Sequence, residues 1–101
     1  MATSTIEMPT EIHDIKIVYT VVQPSGSIAA HFGASGDITP TAPSGYKFLT
    51  HIAIWNTGVI GLVVSFDGVN GAESTRFYQN NTTDNTVSSR GNVNLLTAYY
   101  R

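Results

Sequence analysis

The side chains best suited to chemistry in this 101-residue chain are three histidines, seven carboxylates and a group of aromatic and amide residues. His13, His31 and His51 lie far apart and make no metal-ligand spacing. A threefold assembly can carry three copies of one histidine to its axis, but hydrogen-bonded structural histidines are the simpler expectation. The carboxylates are Glu7, Glu11, Asp14, Asp37, Asp67, Glu73 and Asp84. Glycoside hydrolysis needs two of them facing across a cleft, about 5–10 Å apart. Asp67 precedes a glycine in a turn and Asp84 sits in a polar loop, so turn formation accounts for both. No serine stands in a G-x-S-x-G context. The absence of cysteine removes thiolate nucleophiles, disulfides and Cys-ligated zinc together. Gly33 and Gly36 lack the lysine and the strand-to-helix setting of a phosphate loop. The expectation is therefore a non-enzyme with no catalytic residue, no cofactor and no metal.

The aromatics are more informative. Sugar sites combine flat apolar rings with amide side chains, and Trp55, Tyr78, Tyr99 and Tyr100 stand in the sequence with Asn80 and Asn81. Trp55, Tyr78, Asn80 and Asn81 are the candidate ligand or host contacts. Packing competes for Trp55, because it follows Ile54 at the end of an apolar strand. Asn80-Asn81-Thr82 and Asn81-Thr82-Thr83 match the glycosylation acceptor pattern, which a polar loop tip explains equally.

The elements that must position these residues are read from turn chemistry and alternation. Residues 43–71 form an apolar run bracketed by Pro43-Ser44-Gly45, split by Asn56-Thr57-Gly58, and closed by Asp67-Gly68 and Asn70-Gly71. Its halves, 48–56 and 59–66, are rich in β-branched and aromatic residues and predict two strands pairing as an antiparallel hairpin. Residues 11–23 alternate strictly, with Ile15, Ile17, Tyr19 and Val21 on one face and Lys16, Val18, Thr20 and Val22 on the other. Short or weak strands are expected at 28–32, 72–79 and 86–89. Residues 33–45 read as loop, in which Asp37-Ile38-Thr39 can add a short edge strand; 80–84 reads as a loop tip. A strong last strand is expected at 92–100. No segment keeps a 3.6-residue period. About six to eight short strands joined by Gly, Pro and Asn turns predict one all-β domain, a single antiparallel β-sandwich of jelly-roll-like form, over residues 11–101. Residues 1–10 read as a flexible tail.

Composition sets the surroundings. Hydrophobic residues make up 42% of the chain and charged residues only 12%, about half the usual share, so self-association or an uncharged polar surface must keep it in solution. Net charge is −2 and the five basic residues are scattered, which leaves no electrostatic footprint for nucleic acid. The charge-free window 48–66 is long enough to suggest a membrane span, but His51 and the Asn56-Thr57-Gly58 break divide it into strand-length pieces, so no membrane insertion is expected. The first fourteen residues have no basic or apolar region of the kind a secretory signal needs.

The segment APSGYKFLTHIAIWNTG and the closing VNLLTAYYR resemble the small β-sandwich domains that finish many bacteriophage fibre and receptor-binding proteins. The matching positions are Pro43, Gly45, Tyr46, Leu49, Ile52 and Ile54, then Tyr99 and Arg101, within a likeness spanning residues 16–101. The resemblance implies a homotrimeric virion protein, displayed on a capsid or tail. About ten to fifteen residues precede the first strand, which fits a short head fibre or capsid decoration protein better than a long tail fibre. The tail, through Ile6, Met8 and Pro9, would then anchor on the major capsid protein or another virion protein. Exposed loops would offer contact to host-surface glycans, which leaves a carbohydrate- or receptor-binding module as the alternative.

Overall fold

The computed structural model describes residues 12–67 and 72–101. They form six strands: β1 (Ile15–Val22), β2 (Gly33–Ile38), β3 (Lys47–Thr57), β4 (Leu62–Phe66), β5 (Thr75–Asn81) and β6 (Asn92–Tyr100). Among the described residues there is no helix. The strands make two small antiparallel sheets, ordered β1–β6–β3 and β2–β5–β4. The chain's alternating last strand is thus the centre of its sheet, flanked along its length by β1 and β3.

One core joins the sheets. Ile38 and Phe77 from β2 and β5 pack with Val93 and Leu95 from β6, and Val22, Ile54 and Phe66 close around them. Each large apolar side chain buried in this way stabilises the fold by roughly 1.5–3 kcal/mol. Polar residues inside the gap are tied into hydrogen bonds, although Arg90 Nη2 is buried with no partner. Gln79, fully buried, donates to Asn56 Oδ1 at 2.6 Å and to the Arg90 carbonyl at 2.7 Å, and its own Oε1 accepts from Arg90 Nε at 2.8 Å. This set ties β3 to β5 across the layer.

The expected hairpin between 48–56 and 59–66 does not form. Its first half is β3, which pairs with β6; its second half is β4, which pairs with β5 in the other sheet. The linker between them carries Gly58 at φ 73° and Gly61 at φ 87°, conformations that L side chains rarely adopt. These turns carry the chain from one layer to the other instead of folding it back on itself. β3 also has eleven residues against nine in β6, and register shifts between Phe48 and Thr50 and between His51 and Ala53 absorb the surplus as bulges at Leu49 and Ile52. Residues 28–32 hold only a bridge from Ile28 to Val87, ended by a turn with His31 at φ 62°. The same bridge is all that appears of the strand expected at 86–89. Residues 33–38, read mostly as loop, are β2, because small residues let it lie close over β5: a Cβ at Gly36 would stand 2.5 Å from the Phe77 ring. Asn80 and Asn81 belong to β5 rather than to a loop tip. Of the turns expected to close the hairpin, residues 68–71 lie outside the described residues, as does the 1–10 tail.

Candidate interaction face

Alternation decides which side chains each sheet turns outward. In β6, Val93, Leu95, Thr97 and Tyr99 point into the core and are fully buried. Asn94, Leu96, Ala98 and Tyr100 therefore point outward, and the register places Ile15, Ile17, Tyr19 and Val21 of β1 beside them. On the other flank stand Lys47, Thr50, Ala53 and Trp55 of β3. The outer face of β1–β6–β3 is thus mostly apolar, with Asn94, Thr50 and Lys47 as its polar positions. Ile15, Ile17, Tyr19 and Val21 remain 42–57% exposed, and Ile52, at the β3 edge, is 54% exposed. Lys47, at one corner, is the only charged residue among these positions.

The end of the face away from Lys47 carries its most ordered contact. Tyr19 and Trp55 lean toward each other over β6, with ring centroids 6.2 Å apart and planes 15° from parallel. Beneath them Asn94 is 3% exposed. Its carbonyl oxygen accepts from the Tyr19 hydroxyl, and its amide donates to the Trp55 carbonyl and Thr57 Oγ1, both at 3.3 Å. One buried amide therefore holds the Tyr19 hydroxyl and the Trp55 main chain together.

A second cluster forms around Tyr46. The Tyr46 N–H bonds the Pro43 carbonyl at 3.0 Å, closing a turn with Gly45 at φ 81°. Tyr46 is then buried under Lys16 Nζ and the Arg101 guanidinium, 4.8 and 5.0 Å from its ring centroid. Its hydroxyl donates to Asp14. That bond holds the Asp14 carboxyl below its ordinary value and pushes the Tyr46 hydroxyl up. Pro43, Gly45, Tyr46 and Arg101 thus meet where β1 begins and β6 ends. Tyr99 lies elsewhere, fully buried in the core, with its hydroxyl donating to Glu73 at 2.5 Å. Burial, then Glu73, pushes its ionisation up.

The four candidate contact residues do not form one platform. Trp55 is on the outer face of β1–β6–β3, while Tyr78 and Asn80 are on the outer face of β2–β5–β4. Asn81 is 2% exposed, and its amide is committed to the loops: it donates to the Ile28 and Asn85 carbonyls and accepts from the Thr83 N–H and hydroxyl. That takes Asn81 out of the exposed set. The anchor residues Ile6, Met8 and Pro9 lie outside the described residues.

Several of the described titratable residues have local partners. His51, 7% exposed, bonds Thr97 Oγ1 at 2.9 Å and the Ala72 carbonyl at 3.0 Å. His31 pairs with Asp84 at 2.7 Å on the surface, and Asp37 pairs with Arg76 at 3.0 Å. Among the described residues no three His, Asp or Glu side chains are grouped to hold a metal ion, and no helix is long and apolar enough to cross a membrane. A surface hollow of about 410 Å³ lies between residues 58–61 and 83–89; Ile60, Thr83, Thr86 and Ser88 line it, and no titratable side chain does.

Comparison of the chain with protein-family models, with curated proteins and with solved structures finds no match. Tyr19 and Asn94 were not singled out by sequence, although the alternation of Ile15, Ile17, Tyr19 and Val21 had marked them as one face. Alternation separates two faces but does not say which of them turns inward when both are apolar.

Proposed function

We propose that the chain is a structural component of a bacteriophage virion, a homotrimeric head fibre or capsid decoration protein of single, jelly-roll-like sandwich form that works by assembly rather than catalysis. The observation that carries this reading is the apolar outer face of β1–β6–β3, which a protein working alone would leave in water. The low charge of the chain points the same way. The resemblance of residues 42–58 and 93–101 to fibre domains is the other ground for it. Residues 1–10 anchor the domain on a neighbouring virion protein, and the loops at residues 39–44 and 82–85 are left for display.

The test is made on purified particles. The chain should be found on their surface by antibody labelling, and the free protein should sediment as three copies of 10.8 kDa. Deleting residues 1–10 should abolish incorporation; particles carrying the truncated chain at normal copy number would exclude the anchor.

A second reading, a carbohydrate- or receptor-binding module, draws on the near-parallel Tyr19 and Trp55 rings. A glycan array decides for it if a defined sugar binds and Trp55→Ala removes that binding without unfolding the domain.

A further inference from the structure

The outer face of β1–β6–β3 has relief as well as apolarity. Along β1 the outward residues are large: Ile15, Ile17, Tyr19 and Val21. Opposite the middle of that row the register sets mostly short side chains, with Ala98 beside Ile17 and Thr50 beyond it; on the line from Tyr19 stand Leu96 and then Ala53. Ala98 is 5% exposed, whereas Ile17 is 54% exposed. The face is therefore a ridge along one edge strand beside lower ground at Ala98, Thr50 and Ala53, a shallow trough that Leu96 divides and that ends at Trp55 on one side and at Tyr100 and Lys47 on the other.

We infer that this face is the contact between copies of the chain, with the β1 ridge of one copy seated in the β6–β3 trough of the next. The inference rests on the assembly reading above and names its interface. Three observations select a second copy as the occupant. First, the face carries one formal charge, at a corner, so two copies meet there without opposing like charges across its centre, and a strongly charged partner finds nothing to pair with. Second, the four ridge side chains leave on the order of 400 Å² open, and seating them covers a similar area of the next copy, so each contact removes roughly 800 Å² and a copy closed into a ring makes two of them. Third, β1 is an eight-residue edge strand without proline, and Lys16 is its only charge. Such an edge invites pairing unless something covers it. Ridge and trough are different patches, so the contact runs head to tail and closes as a ring when the rotation permits, as in a trimer.

The experiment uses the full chain and three outward-facing substitutions: Ile17→Lys in the ridge, half-buried Ala53→Lys in the trough, and Ser65→Lys on the other sheet's outer face. Each is checked for folding by circular dichroism and weighed by sedimentation equilibrium. The wild type and Ser65→Lys should be oligomers, and the two face variants folded monomers. Mixed together, they should form a one-to-one pair, because the Ala53→Lys copy keeps an intact ridge and the Ile17→Lys copy an intact trough. An oligomer that survives both face substitutions, or a mixture that stays monomeric, overturns the ridge-in-trough contact and leaves the assembly reading standing. A wild type that is monomeric at millimolar concentration overturns both.

Discussion

The outer faces of β1–β6–β3 and β2–β5–β4 are each three strands wide, and both belong to antiparallel sheets packed on the same core. The first presents isoleucines, Tyr19, Val21, Leu96 and Trp55. The second presents Gly33, Ser35 and Asp37 beside Asn80, Tyr78 and Arg76, then Val63 and Ser65. It carries the Asp37–Arg76 ion pair, and Val63 is the large aliphatic residue among its outward positions. An antiparallel sheet needs only one buried face, and the second sheet follows that rule. The first departs from it, and the departure is what separates an interaction surface from an ordinary solvated one.

Substitutions can grade this contrast, measured by urea unfolding at fixed protein concentration because association adds to apparent stability. Leu95→Ala, in the core both sheets share, should cost about 2–5 kcal/mol and sets the scale. Asn94→Ala should come next, at about 1–3 kcal/mol, because it frees the Tyr19 hydroxyl and the Trp55 carbonyl from a buried partner. It should also shift Trp55 fluorescence, and an unchanged spectrum would count against Asn94 as the anchor of the ring pair. Tyr99→Phe should cost about 1 kcal/mol at neutral pH. Its sharper signature is at high pH. Tyr99 ionises at a higher pH when folded than the ordinary 10.0, so its contribution is full below that value and is lost as pH rises beyond it. The variant should lose part of the alkaline fall in stability. Asp14 runs in the opposite sense: its depressed value means stability present above about 3.8 and lost as pH falls through the folded value, so Asp14→Asn should flatten the acid limb. The smallest effect belongs to the polar face, where Arg76→Ala breaks an exposed, solvent-screened ion pair and should leave stability nearly unchanged. A larger loss there than at Asn94 would reverse the contrast.

Much of this was legible from residues alone. The all-β class followed from turn chemistry and alternation, and NVNLLTAYY gave the limits of β6 because both its faces are buried enough to constrain each residue. Pairing was less legible. The 48–56 and 59–66 runs have strand composition whichever neighbour they choose, and Gly58 and Gly61 permit a sheet change as readily as a hairpin. β2 was hard to see because GASGDI is fitted to Phe77 and Asn80 rather than to strand propensity. The interaction face required the register: Tyr19 and Trp55 are thirty-six residues apart in sequence and meet only because β6 runs between their strands.

The pairing of residues 13–15 with residues 100–101 also governs how the domain carries load. The His13 N–H bonds the Arg101 carbonyl at 2.6 Å, and Ile15 stands opposite Tyr100. Force applied through residues 13 and 101 would draw β1 away from β6 from one end, and the ladder would open pair by pair rather than shear all at once. The first structure to yield would be the Tyr46 cluster, where Lys16 and Arg101 lie over one ring and Asp14 takes its hydroxyl. That cluster is a latch at the mouth of a zipper, and its strength sets the tension at which the domain begins to part.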